Sequence, residues 1–400
     1  MLLRFQFGNF RSFRDVQTLS WVASALRHPS REVEFAALPV CAIYGANASG
    51  KSNVLAALGF AVSAIRDSFR RWEPNQPIPR SRFLGPSIDA GQPTSFTLDF
   101  ILGESEYQYG FELDDLAVKK EWLWAFPQGR KQEWFRRETG APFYFGPKLR
   151  GPNKVIEEVT RSNSLFLSSA AQNNHEQLLP VFSKLTQEID VRANVFPKGL
   201  THIAGYVQDA DRKADVLHLI QAAELGISDL RVQNKMFPFD HEFTVSLTHQ
   251  IEGEAVELPE ELESEGTKTF LAQLPAVLSA LRTGGILAID ELDRSLHSIL
   301  CFAIIRLFMR KDTNPNSAQL LFTTHDSSLL SSGDLRRDEI WFTEKREDGA
   351  SVLYPLTDYS PRKQENLERG YLQGRYGAIP FLSQDQFLQA LATDEDEAGA

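Results

Sequence analysis

Residues Gly45-Ala46-Asn47-Ala48-Ser49-Gly50-Lys51-Ser52 follow an apolar run ending at Tyr44 and precede a helix-forming stretch from Asn53 to Ile65. This order of strand, glycine loop and helix restricts the chain more than any other feature. Glycines at the two ends of the hairpin-like loop let the backbone turn tightly and aim several N–H groups at one point, while the following helix adds the positive end of its dipole. The spacing is that of a P-loop, a cradle for phosphate built from Gly45, Asn47, Ala48, Ser49 and Gly50. Lys51 is placed to neutralise β- and γ-oxygens, and Ser52 to ligate Mg²⁺.

A phosphate cradle that also performs chemistry needs carboxylates at the same edge of a sheet. Ile286-Leu287-Ala288-Ile289 is a short apolar run that ends in Asp290-Glu291, the form of a buried strand delivering two acids. Asp290 is expected to hold Mg²⁺ through water, and Glu291 to polarise an attacking water as general base. Glu263-Ser264-Glu265-Gly266-Thr267 precedes the helix that leads into this strand. Its Ser264 reads either as a plain N-cap or as part of an anion site made by free backbone donors. Thr323-Thr324-His325-Asp326 follows another short apolar run, so that an imidazole arrives at the sheet edge in either a structural or a sensing role.

The pattern along the rest of the chain predicts an α/β fold with two additions. Strands are expected over Leu2 to Phe7 and within Val33 to Tyr44, and an antiparallel meander over Ser95 to Trp124 broken at Gly103-Glu104 and Asp114-Asp115, with a further strand at Trp134 and Phe135. From Asn153 to Leu230 apolar residues recur at helical steps, as in Leu178, Leu179, Phe182 and Leu185, and again from Val216 to Leu225, which predicts an inserted helical subdomain. A helix over Phe270 to Leu281 and a strand over Leu320 to Thr323 complete the pattern. No sustained heptad repeat occurs, so a long coiled coil is excluded. The expected divisions are 1–150, a lobe with P-loop and meander; 151–240, helical; 241–385, a lobe carrying the two acids; and an acidic tail, 386–400, whose Asp394-Glu395-Asp396-Glu397 is expected to be disordered.

Composition enters as a set of exclusions. With 42% hydrophobic and 24% charged residues among 400, the chain suits a folded protein of two or three lobes. It has no apolar run of membrane length and no signal-peptide pattern at its start, which predicts a cytoplasmic protein without a membrane partner. Cys41 and Cys301 are expected to be buried hydrophobes. A formal net charge of -11 opposes broad adhesion to nucleic acid, although Arg66, Arg70 and Arg71 form either a local phosphate-tracking patch or a solvated helix face.

The order of P-loop, Ser264-Glu265-Gly266, acid pair and His325 resembles the head of ABC-type P-loop ATPases. Within them, Asn9-Phe10-Arg11-Ser12-Phe13 and the asparagines of Gly45-x-Asn47-x-x-Gly50-Lys51-Ser52-Asn53 resemble the SMC, RecF and OLD branch. Asp290-Glu291-Leu292-Asp293-Arg294-Ser295-Leu296-His297 is similar to the OLD-like form, with Leu296-His297 at the D-loop. Together with Leu335 to Phe342 and Arg369 to Pro380, these segments resemble the RloA and AbiL type of bacterial abortive-infection ATPases and the ATPase subunit of the PARIS anti-phage system. For the last segment the residues leave packing and partner contact equally open.

That resemblance implies ATP and Mg²⁺ as ligands, with Arg11, Ser12 and Asn53 near the phosphates. It further implies Ser264, Glu265 and Gly266 reaching nucleotide bound by a second copy, and His325 sensing the same γ-phosphate. Heads would then pair as a homodimer or higher homo-oligomer with ATP sandwiched between them. The implied role is a sensor and regulator in anti-phage defence that controls a separate effector such as a Toprim nuclease or a toxin, since no second set of catalytic acids is visible. A RecF-like repair ATPase that binds DNA is the alternative, and a transporter ATPase a third.

Overall fold

The computed structural model describes residues 1–24, 37–85, 91–192, 200–237, 240–362 and 365–379. In chain order the first elements are β1 (Leu2–Gly8), β2 (Gln17–Ser20), β3 (Val40–Gly45), α1 (Lys51–Asp67), β4 (Thr94–Leu102), β5 (Ser105–Leu113), β6 (Val118–Phe126), β7 (Gln132–Glu138) and β8 (Tyr144–Phe145). Next come α2 (Asn153–Val159), α3 (Phe166–Gln172), α4 (Leu179–Gln187), β9 (Ile189–Arg192), α5 (Thr201–Tyr206), α6 (Ala210–Ala222), β10 (Ile227–Phe237), β11 (Asp240–Ile251) and β12 (Glu254–Pro259). The remainder is α7 (Glu265–Thr283), β13 (Ile286–Ile289), α8 (Ser298–Met309), β14 (Gln319–Thr323), α9 (Ser328–Ser331), β15 (Ile340–Lys345), β16 (Ser351–Pro355) and α10 (Leu367–Leu372). The expected α/β class is borne out, and the longest helix among the described residues, α7, has 19 residues.

Six strands in the order β16-β15-β3-β14-β13-β9 form the central sheet. All but β16 run parallel. Both faces are covered, which is why β3, β13 and β14 are continuous apolar runs with every residue buried rather than alternating ones. The pleat still sorts the side chains. Cys41, Ile43, Ala288 and Leu321 join one core, and Val40, Ala42, Tyr44, Leu287 and Phe322 the other. The first core is closed by α1 and by a second sheet, β2-β1-β4-β5-β6-β7-β8, whose strands are all antiparallel. On the opposite face lie α7, α8 and the three-stranded sheet β10-β11-β12.

Gln319 joins the two large sheets. Its Oε1 accepts from Leu2 N at 2.6 Å and its Nε2 donates to Leu2 O at 2.9 Å, all buried. Glu121, fully buried in the antiparallel sheet, ties that sheet to the helices beyond it. It accepts from the backbone N–H of Phe166 at 2.7 Å and of Leu167 at 2.9 Å, and from the Tyr109 hydroxyl at 2.9 Å, with Arg137 3.6 Å away.

The expected meander is present as β4, β5 and β6, but it belongs to a larger sheet that also takes in β1, β7 and the short β2, which composition alone did not signal. The second opening strand begins at Val40, and residues 33–36 of the run assigned to it lie outside the described residues. Helices α2 to α6 occupy most of the stretch read as helical, with two corrections: β9 interrupts it to form the edge of the central sheet beside β13, and β10 begins within it at Ile227. The division at residue 240 also shifts, because β10 and β11 pair as a hairpin across it, with Phe237 opposite Asp240. The acidic tail lies outside the described residues.

The C-terminal stretch from Gly370 to Ile379 packs inward. Tyr371 stacks on Phe342 at 5.6 Å and meets Tyr44 edge-on at 5.8 Å, while fully buried Tyr376 lies 5.9 Å from Phe342. Gly370 is required there, since a Cβ would lie 2.7 Å from the Tyr376 hydroxyl. Part of this segment is therefore used in packing against the strand that carries the P-loop, while Leu372 stays largely exposed.

Replacing Glu121 with alanine strands Arg137 in the core and removes the acceptor for three donors. The expected loss is about 3–5 kcal/mol of unfolding free energy, read by urea unfolding, and a loss below about 1 kcal/mol would count against Glu121 as the tie between layers.

Candidate functional site

Because β3, β14 and β13 are parallel neighbours in that order, the loops leaving their C-terminal ends open at one edge of the sheet. From β3 comes the glycine loop. Gly45 has φ +155° and a Cβ there would lie 2.5 Å from the Thr343 carbonyl oxygen, so only glycine lets the loop pass β15 this closely. Gly50 has φ +113°, and its missing Cβ would lie 2.8 Å from Ser351 Oγ. Ser49 is buried, its hydroxyl 2.7 Å from Thr343 Oγ1, while Asn47 and Ala48 are exposed at the tip, Ala48 in the left-handed region at φ 62°. Lys51 Nζ folds back to donate to Gly45 O at 2.8 Å and Ala46 O at 3.1 Å. Ser52, half-buried, follows in the first turn of α1.

The acid pair sits one strand away from the loop rather than beside it, with β14 between. The last residue of β14, Thr323, bridges the gap. Its hydroxyl donates to Asp290 Oδ1 at 2.7 Å and accepts from Glu291 N at 2.7 Å, and its carbonyl accepts from Leu292 N at 3.0 Å. Two residues on, His325 N donates to Asp293 Oδ2 at 3.1 Å. Asp290 is thus buried with one oxygen committed, whereas Glu291 is held half-exposed in a left-handed backbone conformation at φ 50°, a strained state for a glutamate, and lies 3.7 Å from Arg294. The bridging roles of Thr323 and Thr343 escaped the sequence reading, in which Thr323 marked only the end of a short strand and Thr343 was not singled out.

On the other side of the loop, Arg11 and Ser12 meet Asn53. Arg11 Nη1 donates to Asn53 Oδ1 at 3.2 Å and Asn53 Nδ2 donates to Ser12 Oγ at 2.9 Å, with Ser351 Oγ donating to Ser12 Oγ at 2.9 Å. The structure therefore gathers Arg11, Ser12, the loop residues, Asn53, Asp290, Glu291 and His325 at one sheet edge. It does not bring the Ser264 segment to the loop: among the described residues no hydrogen bond or ion pair joins them. Ser264 caps α7 by accepting from Thr267 N at 3.1 Å, Glu265 pairs with Lys268 at 2.5 Å, and a Cβ on Gly266 would lie 3.0 Å from Ser295 O. His297 likewise caps a helix, its Nδ1 accepting from Ile299 N at 3.3 Å, and Leu296 is buried.

The candidate nucleic-acid patch is partly neutralised, since Arg66 and Arg71 both close on Asp67, at 3.2 and 3.4 Å. Cys41 and Cys301 are buried as expected, and burial pushes the Cys301 thiol up to about 12. For a metal the fit is that of a lightly coordinated site. Ser52 and Asp290 offer hard oxygens suited to Mg²⁺, and among the described residues no cluster of three or more His, Cys, Asp or Glu forms a protein cage.

Charge is concentrated here. Partial burial lowers the Lys51 ammonium, opposed by Asp290, Glu291 and Asp293, and partial burial followed by the Lys51 cation lowers the His325 imidazole. The folded state accordingly favours neutral His325, a contribution present above the ordinary histidine value of about 6.5 and lost as pH falls through the lower folded one. In an NMR titration the His325 ring should have its midpoint below that of a free histidine, and Lys51→Met should move it upward. For the bridge, Thr323→Val should cost about 1–3 kcal/mol in thermal unfolding, and Thr323→Ser should recover most of it.

Comparison with known proteins finds no match among the curated proteins. Among solved structures, the chain is similar to the SMC head domain from Thermotoga maritima, at 16% identity and a TM-score of 0.41 over 88% of this chain and 98% of that one. Residues 40–331, from the P-loop strand through α9, match the family described as "AAA domain, putative AbiEii toxin, Type IV TA system". Spanning the glycine loop, the acid pair and the histidine together, that match covers well over half of the chain, which therefore belongs to this family of AAA domains.

Proposed function

We propose that the chain binds ATP with Mg²⁺ and hydrolyses it in a site completed by a second copy, and that this pairing regulates a separate effector in an abortive-infection defence of the RloA, AbiL and PARIS kind. The observation that carries the catalytic part is the Thr323 bridge, which fixes Asp290 and Glu291 at the same edge as Lys51. In this reading Lys51 leaves the carbonyls of Gly45 and Ala46 for phosphate oxygens, and the N–H groups of Asn47 to Ser52 face the β-phosphate. Ser52 and Asp290 hold Mg²⁺, whose charge offsets that building up on the phosphates. Glu291 accepts a proton from the attacking water, and His325 contacts the γ-phosphate.

Pairing is supported by what the single chain leaves undone. Among the described residues no hydrogen bond or ion pair joins Ser264 or Gly266 to the chain's own loop, and in this reading their nucleotide contact is made to a second copy. The effector part rests on the toxin–antitoxin wording of the family description and on the resemblance of the segments above.

Glu291→Gln should bind ATP as wild type does while turnover falls roughly 10²- to 10⁴-fold, the usual loss for a general base. Lys51→Ala should lose ATP binding in equilibrium titration. Ser264→Arg should bind ATP as a single chain and fail to pair by sedimentation. The effector is addressed by mass spectrometry of whatever co-purifies with tagged Glu291→Gln in ATP, expressed from its own locus. A stoichiometric nuclease-like or toxin-like neighbour supports the regulatory role, whereas repair proteins or DNA alone would replace it with a RecF-like one.

A further inference from the structure

Helix α10 meets two of the segments that converge on the candidate site. Near its start, Glu368 Oε1 accepts from the Ser327 hydroxyl at 3.0 Å, two positions after His325. Three residues on, the Tyr371 ring meets Tyr44 edge-on at 5.8 Å, and its hydroxyl, raised by burial, is opposed in that rise by the backbone N–H of Gly45. We propose that Glu368 and Tyr371 are positioning residues for ATP turnover, Tyr371 setting the entry to the phosphate cradle and Glu368 the turn that carries His325. The proposal rests on the ATPase reading above and adds to it a part for the C-terminal segment.

The spacing of the helix suits the spacing of the sheet. Gly45 ends β3, Thr323 ends β14, and the two strands are neighbours, so their loops leave the sheet about 5 Å apart. Residues three apart on a helix share a face at about the same separation, which lets Glu368 and Tyr371 take one loop each. Packing of α10 against α9, the helix that follows His325, keeps this alignment. The His325 turn is then held from two sides. His325 N donates to Asp293 Oδ2 at 3.1 Å on the side of the acid pair, and Ser327 is held by Glu368 on the other. Asp326, between them, accepts from Ser328 N at 2.9 Å and closes the turn on itself.

Packing alone does not call for these polar groups. A phenylalanine at 371 would keep both the stack on Phe342 and the edge contact with Tyr44, yet the residue carries a hydroxyl, which donates to Ala378 O at 3.3 Å and faces the Gly45 N–H. The helix that presents the two side chains is fixed at both ends. Asn366 caps it by accepting from Arg369 N at 2.8 Å, and beyond it Tyr376 O accepts from the Tyr354 hydroxyl at 2.9 Å.

The test measures kcat and, by calorimetric titration, the Kd for Mg²⁺-ATP on the full chain, with thermal unfolding of every variant. Tyr371→Phe should raise Kd about three- to tenfold, the usual scale for one hydrogen bond, and lower kcat by less. Glu368→Ala should show the opposite split, with kcat falling about three- to tenfold and Kd changing less. Glu368→Gln, which keeps an acceptor for Ser327, should recover most of the rate. Leu372→Ala, at the 61% exposed neighbouring position, should match wild type. Equal changes in kcat and Kd in both variants, or a lower Tm with no kinetic change, would reduce α10 to packing and overturn the proposal. A Gln variant no better than the Ala one, or a Leu372→Ala loss as large as the others, would overturn it too. Failure of the underlying reading is separately visible, as a Lys51→Ala variant that keeps wild-type affinity for ATP.

Discussion

Everything at the candidate site depends on one constraint, the parallel alignment of β3, β14 and β13 inside a sheet buried on both faces. Parallel strands send all their C-terminal ends to one edge, so segments nearly 250 residues apart along the chain are delivered to the same place without any long-range recognition between the loops themselves. Burial of both faces then removes the freedom to slip. A one-residue shift would turn the residues of one core toward the other, exchanging Cys41 and Ile43 for Val40, Ala42 and Tyr44. The interior is thus what sets the positions of the charged groups at the rim.

Several of the chain's left-handed non-glycine residues lie in the loops of the candidate site, although others are spread over the rest of the molecule. Asn9, Arg11, Ala48, Glu291 and Ser295 all have left-handed backbones without being glycine, and such conformations persist at a cost of about 1–3 kcal/mol each when the surroundings over-determine them. At Glu291 the surroundings are identifiable: the Thr323 hydroxyl on its own N–H and the Thr323 carbonyl on the next one. The loops that meet at the sheet edge are thereby braced against one another rather than each being rigid alone.

What could be read from the residues in advance follows from how local each signal is. The glycine loop, the strand into Asp290 and the strand into Thr323 were legible because spacing over eight or fewer residues specifies them. Strand β9 was not, since Ile189 to Arg192 is too short to show a period and owes its conformation to pairing with β13. Strands β10 to β12 went unread for a related reason, being a small sheet that rests one face on helices. Thr323 carried no hint of its partners because they lie 32 and 33 residues away. Ser264 remained double in the sequence, and the structure supplies its local half, the cap on α7, while a role toward a second copy lies beyond any single chain.

The folded-back position of Lys51 has a consequence for how the cradle discriminates among anions. With Nζ donating to the carbonyls of Gly45 and Ala46, two of the three N–H donors of the lysine are engaged within the loop itself. An incoming anion must therefore offer more than those two carbonyls do, and do so in partial competition with the nearby carboxylates of Asp290, Glu291 and Asp293. A small singly charged ion makes that exchange at little gain, whereas a chain of linked phosphates engages the lysine, the backbone N–H groups and the metal ligands at once. On the reading proposed above, a ligand of several connected charges is the one best able to meet that competition.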